Sequence, residues 1–93
     1  MMTLNKLYSV INSRKKKLPA KSYTASLIRG GSDSILKKVA EESAEVVIAC
    51  KNNQQREMIN EIADLWYHVL VLLAVKNINL KDIFYELEKR SKK

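Results

Sequence analysis

Cysteine, proline and histidine each occur once in this chain, as Cys50, Pro19 and His68, and glycine occurs only as the adjacent pair Gly30 and Gly31. A lone cysteine excludes an intramolecular disulfide and a thiolate metal site, and it suits a reducing, cytoplasmic setting. One histidine leaves no material for a bundle with Glu-x-x-His motifs on two helices. No segment approaches the roughly 18 consecutive apolar residues of a membrane span, and the N-terminal MMTLNKLYSV is too polar for a signal peptide, so no membrane partner is expected. No repeat, low-complexity tract or composition break marks a second unit. The expectation is one globular domain over residues 1–93, with 46% hydrophobic and 29% charged residues. A chain this short buries only about 60% of its unfolded surface, which favours self-association.

With so little glycine and proline, and with apolar residues at helical spacing, the chain reads as all-α with about four to five helices. Thr3 is placed to cap a first helix over about Leu4 to Arg14, with Leu4, Leu7, Tyr8 and Ile11 on one face and the basic run Arg14, Lys15, Lys16, Lys17 at its end. Pro19 breaks the helix, Ser22 is placed to cap a short second one, and Gly30 and Gly31 permit a sharp turn. A third helix is expected from Ser32 or Asp33 to about Lys51, with Ile35, Leu36, Val39, Ala40, Val46, Val47 and Cys50 as its apolar stripe. A fourth spans about Gln55 to Lys76. Its second half, within LWYHVLVLLAV, is apolar nearly all round, so it is expected to be buried against the rest of the fold or a second subunit, and it is the best candidate for a subunit interface. Trp66 and Tyr67 in that half, and Cys50 in the third helix, read as packing residues, and His68 as a hydrogen-bonded core or interface residue. A fifth helix follows Asn79, with Ile83, Phe84 and Leu87 facing inward and a frayed basic tail.

Against a formal net charge of +7, the stretch EESAEVV concentrates Glu41, Glu42 and Glu45 within two helical turns. The short polar link Asn52, Asn53, Gln54 implies an antiparallel hairpin of the third and fourth helices. From Asn53, Glu45 and Glu61 are each eight residues away, and Glu42 and Asp64 are each eleven away, so the two acidic pairs stand level. Side chains at i, i+3 lie about 5 to 6 Å apart at Cβ. Two unit negative charges at that distance repel by about 3 kcal/mol at an effective dielectric of 20. Four converging carboxylates, with Glu41 nearby, therefore call for a hard divalent cation, and Mg2+ with retained waters fits a site open on one side. The competing reading is a solvated helix face. A nucleic-acid-binding module would use the basic excess, but no nucleic-acid motif is present and four carboxylates in the groove would repel a phosphate backbone. A small polyphosphorylated substrate accommodates both signs of charge.

SYTASLIRGGSDSILKKVAEESAEVVIACKNN, followed by EIADLWYHVLVLLAVKNINLKDIFYELEKR, closely resembles the phosphoribosyl-ATP pyrophosphatase family of histidine biosynthesis, over about Leu4 to Arg90. That family belongs to the MazG-like all-α nucleotide pyrophosphohydrolases, whose E-x-x-E and E-x-x-D signature is filled by Glu42, Glu45, Glu61 and Asp64. Ala40 stands where the family commonly has glycine, and Ala suits a helix better. The resemblance implies Mg2+-dependent hydrolysis of phosphoribosyl-ATP to phosphoribosyl-AMP and pyrophosphate by a helical bundle completed by homodimerisation. It implies the stand-alone form, without a nucleic-acid partner. Glu42, Glu45, Glu61 and Asp64 would hold the metal directly or through water, with Glu41 a fifth carboxylate, and any of the five could orient the attacking water. Lys37, Lys38, Arg29 and Lys51 are the candidates for substrate phosphates. Tyr23, Thr24 and Ser26 would contact ribose or phosphate, with capping and loop hydrogen bonding as the alternative. A house-cleaning pyrophosphohydrolase acting on another nucleoside triphosphate would use the same acidic residues.

Overall fold

A computed structural model describes residues Met1–Lys93, and it contains five α-helices and no strand: α1 (Leu4–Lys17), α2 (Tyr23–Arg29), α3 (Ser32–Asn52), α4 (Gln55–Val75) and α5 (Leu80–Ser91). Local chemistry explains most boundaries. The Thr3 hydroxyl accepts from the Lys6 N–H at 3.1 Å, and the Ser22 hydroxyl accepts from the Ala25 N–H at 3.1 Å. Gly31, at φ 90°, makes the turn into α3 in a backbone region closed to side chains. Asn53, left-handed at φ 58°, ends α3 with its N–H on the Ala49 and Cys50 carbonyls, and α4 begins two residues later.

α1 extends to Lys17, beyond the expected end at Arg14. Basic side chains in a last turn are favoured by the negative end of the helix dipole, and nothing before Leu18 and Pro19 disfavours helix. Lys15 also reaches across to α4, donating to the Ala74 carbonyl at 2.8 Å and to Asn77 Oδ1 at 2.6 Å. The Ala74 carbonyl also accepts from the Asn77 N–H at 3.3 Å, so Lys15 adds a second donor at the end of α4. The basic tail, expected to fray, is helical to Ser91, with Glu86–Arg90 and Glu88–Lys92 pairs at 3.9 and 3.7 Å.

Core packing gathers at one end of the molecule. Ile11 from α1, Leu27 from α2, Ile35 from the start of α3, Leu70, Val71, Leu73 and Ala74 from the second half of α4, and Leu80 from α5 form one cluster. Ile11, Ile35 and Val71 are fully enclosed. α3 and α4 then continue away from this cluster as an antiparallel hairpin, along which Ala49 is the one further buried apolar residue. Only 12 of 93 residues are buried, so a large apolar surface stays uncovered on a single chain.

The position of that surface corrects several expectations. The face α3 turns to α4 runs through Ile35, Val39, Glu42, Val46 and Ala49, while Leu36, Val47 and Cys50 of the expected stripe are exposed, Val47 to 60%. α3 is apolar on two sides, and its sequence period does not say which side its neighbour takes. The second half of α4 takes the first of its two expected places, buried against the rest of the fold. The exposed apolar residues of α4 are Ile59, Ile62 and Trp66, the last 55% exposed rather than packed. Ile83 and Leu87 do not close inward: with Phe84, Leu65, Trp66 and Val69 they line an open apolar groove of about 370 Å³. By length and composition α4 could cross a membrane, but Leu70, Val71, Leu73 and Ala74 are spent on the core.

Ile35→Ala removes a fully enclosed side chain at the junction of α2, α3 and α4 and should cost about 2 to 5 kcal/mol. Urea unfolding should show a lower midpoint with an unchanged slope.

Candidate active site

Helical registry assembles the acidic cluster. Glu42 projects from the α3 face that meets α4, and Glu61 and Asp64, three residues apart, project from α4 opposite it. One carboxylate oxygen from each of Glu42, Glu61 and Asp64 lies within 4.8 Å of the other two. Glu42 and Glu61 are half-buried, and Asp64 is exposed, which leaves the group open on one side. Glu45 acts on Glu61 electrostatically but stands outside the tight group. With Glu57, Glu61, Ile48 and Ala49 it lines an adjoining cavity of about 300 Å³. Glu57 was not singled out from the sequence; its signal is the i, i+4 spacing to Glu61. Glu41 points elsewhere and pairs with Lys38 at 3.8 Å, a half-exposed contact worth at most about 1 kcal/mol.

The Glu61 carboxyl is pushed above the ordinary carboxylate range, first by partial desolvation, then by the charges of Glu42, Asp64 and Glu45, and last by a hydrogen bond with Glu42. Three carboxylates held this close have the chemistry of a site for a hard divalent cation: all offer oxygen ligands, and a cation would relieve their mutual repulsion.

The polar residues of α2 are engaged within the chain. The Tyr23 hydroxyl lies 2.9 Å from His68 Nε2, and His68 Nδ1 lies 2.7 Å from the Asp64 carbonyl. His68 is thus the buried, doubly hydrogen-bonded residue expected, at 5% exposure. Thr24 is buried and its hydroxyl bonds the Tyr67 hydroxyl. Ser26 donates to the Tyr23 carbonyl at 2.7 Å. The Tyr23 and Tyr67 rings stack with centroids 6.3 Å apart, and both meet the His68 ring edge-on. Arg29 donates to the Leu18 and Pro19 carbonyls at 3.3 and 3.1 Å, bracing the turn before α2. Lys37 and Lys51 are exposed on α3 and make no ion pair, and Lys38 is half-buried.

A carboxyl whose pKa rises on folding holds its proton more tightly in the folded chain. Its stabilising effect is complete below the unfolded pKa and is lost as pH rises through the raised value. In metal-free protein, Glu61→Gln should therefore raise the thermal midpoint at pH 7 and leave it nearly unchanged at a pH below the carboxylate range. Calorimetry at the two pH values in chelator-treated buffer checks this.

Comparison with known proteins places this arrangement. The phosphoribosyl-ATP pyrophosphohydrolase family profile matches residues 4–91. A phosphoribosyl-ATP pyrophosphatase from Leptospira biflexa serovar Patoc is 53% identical over 90 residues, covering 97% of this chain and 98% of that protein. One from Listeria welshimeri serovar 6b is 54% identical over 90 residues, covering 97% and 86%. The same share of the chain is 54% identical to a segment making up 44% of the histidine biosynthesis bifunctional protein HisIE from Caldanaerobacter subterraneus subsp. tengcongensis. With a match spanning all five helices in full, the chain belongs to the phosphoribosyl-ATP pyrophosphohydrolase family.

Proposed function

We propose that this chain hydrolyses phosphoribosyl-ATP to phosphoribosyl-AMP and pyrophosphate in histidine biosynthesis, with Mg2+ held by Glu42, Glu61 and Asp64. The observation that carries the reading is the gathering of these three carboxylates within 4.8 Å, in a chain whose match to the family extends over residues 4–91. Bound there, the cation would neutralise phosphate charge and lower the pKa of a coordinated water. The remaining work falls to side chains. Water adds across the anhydride between the α- and β-phosphates, and the bond to the leaving pyrophosphate breaks. Glu45, next to Glu61 but outside the tight group, accepts the proton of the attacking water at its carboxylate. Lys37, Lys38 and Lys51 supply positive charge along α3 for the phosphates, whose binding the net charge of +7 assists over distance.

Residues 1–93 act as one domain, in the cytoplasm, without a nucleic-acid or membrane partner. The working form is a homodimer. Val47, Ile48, Ile59, Ile62 and Trp66 are exposed along the α3–α4 hairpin, and the apolar groove beside Trp66 adds to them, so a second copy would cover more apolar surface than the single chain's own core provides for.

Pyrophosphate release from phosphoribosyl-ATP, with ATP and dUTP as competitors, tests the activity. Turnover should require Mg2+, vanish with chelator, return on readdition, and fall at least about 100-fold in Glu61→Gln. Turnover of another nucleotide in preference would reassign the substrate, and metal-independent turnover would remove the carboxylates from the reaction. Trp66→Glu should shift the mass measured by light scattering from two chains to one; an unchanged mass would move the interface away from this face.

A further inference from the structure

The hydrogen bonds around His68 end at one of the three site carboxylates' own backbone. A backbone carbonyl only accepts, so His68 Nδ1 carries the proton directed at the Asp64 carbonyl, 2.7 Å away. Nε2 of the neutral ring is then an acceptor, and the Tyr23 hydroxyl at 2.9 Å donates to it. The hydroxyl proton of Tyr23 is therefore committed inside the protein. α2, which carries Tyr23, is itself fixed: Ala25 is fully enclosed and Leu27 belongs to the core. The chain of contacts runs from a rigid element, through a buried ring with both nitrogens bonded, to the helical turn that bears Asp64.

A second tie from α2 reaches the same turn at Tyr67, whose hydroxyl bonds Thr24. At the level of Glu61 and Asp64, α4 meets α3 on one side, while Ile62 and Trp66 on the same stretch are exposed. The carboxylates of Glu42, Glu61 and Asp64 lie within 4.8 Å of one another at this level, and like charges at that separation repel. His68, one turn beyond Asp64, is the first fully buried side chain of α4 past the acidic residues. A rotation of α4 that swung Asp64 away from Glu42 would break the bond to Tyr23 and leave a buried ring nitrogen without a partner, which is unfavourable.

Resting on the metal-site reading above, we infer that Tyr23 is a positioning residue, acting through His68 to set the rotation of α4 and so the placement of the Asp64 carboxylate in the cation site. Tyr23 then affects metal affinity and not substrate contact.

The test is Mn2+ binding to the folded protein, followed by the paramagnetic signal of free Mn2+ well below the unfolding temperature, together with KM for phosphoribosyl-ATP at saturating metal. Tyr23→Phe keeps the ring stack and loses only the hydroxyl; it should weaken Mn2+ binding about 10-fold with KM unchanged. His68→Leu should behave alike, and His68→Gln, whose amide oxygen can accept from Tyr23, should retain most of the affinity. Ile11→Val, which loosens the core without touching this chain of bonds, should bind Mn2+ as the wild type does. Unaltered Mn2+ affinity with a raised KM in Tyr23→Phe would overturn the inference and make Tyr23 a substrate contact. If the wild type bound Mn2+ no better than Glu61→Gln, the cation site itself would fail, and the inference with it.

Discussion

Glu42, Glu61 and Asp64 repel one another across the seam of the α3–α4 hairpin, and much of the architecture can be understood as holding that repulsion in place. A seam of apolar residues alone would close smoothly; one that places Glu42 between Val39 and Val46 must be restrained on both sides of the charge. On one side the Asn53 turn ties the helices at short range. On the other, α1, α2 and the start of α3 clasp the second half of α4 through Ile11, Leu27, Ile35 and Val71. The acidic level lies between these two anchors. A cation bound at the proposed site would relieve this repulsion, which a neutral seam would not carry.

The distribution of charge has the same logic on a larger scale. Seventeen basic residues outnumber ten acidic ones, yet the acidic residues that meet are concentrated at one place. A uniformly basic surface would draw in any polyanion and hold it anywhere. A basic surface with one acidic cleft gives a polyphosphate bearing a divalent cation a preferred place to rest. The homodimer proposed above fits this view, since the exposed apolar residues of the hairpin are adjacent in sequence to its carboxylates: Ile62 and Trp66 alternate with Glu61 and Asp64 along α4.

The sequence was most readable where a single local rule decides. Hydroxyl caps at Thr3 and Ser22, the bend at Asn53 and the level pairing of Glu42 with Asp64 all follow from spacing, and each appears in the structure. Reading was least secure where a helix has two apolar sides. For α3 the period admits a stripe through Leu36, Val47 and Cys50 as readily as one through Ile35, Val46 and Ala49, and only the neighbour chooses. The same ambiguity hid the exposure of Trp66, because an aromatic in an apolar helix reads as buried whichever way it points. Nor could spacing separate Glu45 from the tight group, since displacements of a few ångströms lie below what residue counting resolves. For Tyr23, Thr24 and Ser26, a family-like motif suggested ligand contact, whereas their hydroxyls have partners within the chain.

Folding and chemistry occupy different ends of this molecule. The fully enclosed residues Ile11, Ile35 and Val71 lie at the clasp, and the hairpin beyond contributes Ala49 as its only deeply buried apolar side chain. Substitutions around the acidic cleft therefore disturb few of the contacts that keep the chain folded. Over generations, such a layout lets sequence drift at the cleft explore new nucleotide substrates while the clasp remains under separate constraint. A scaffold of this size can in that sense diversify in what it recognises without first acquiring a larger core.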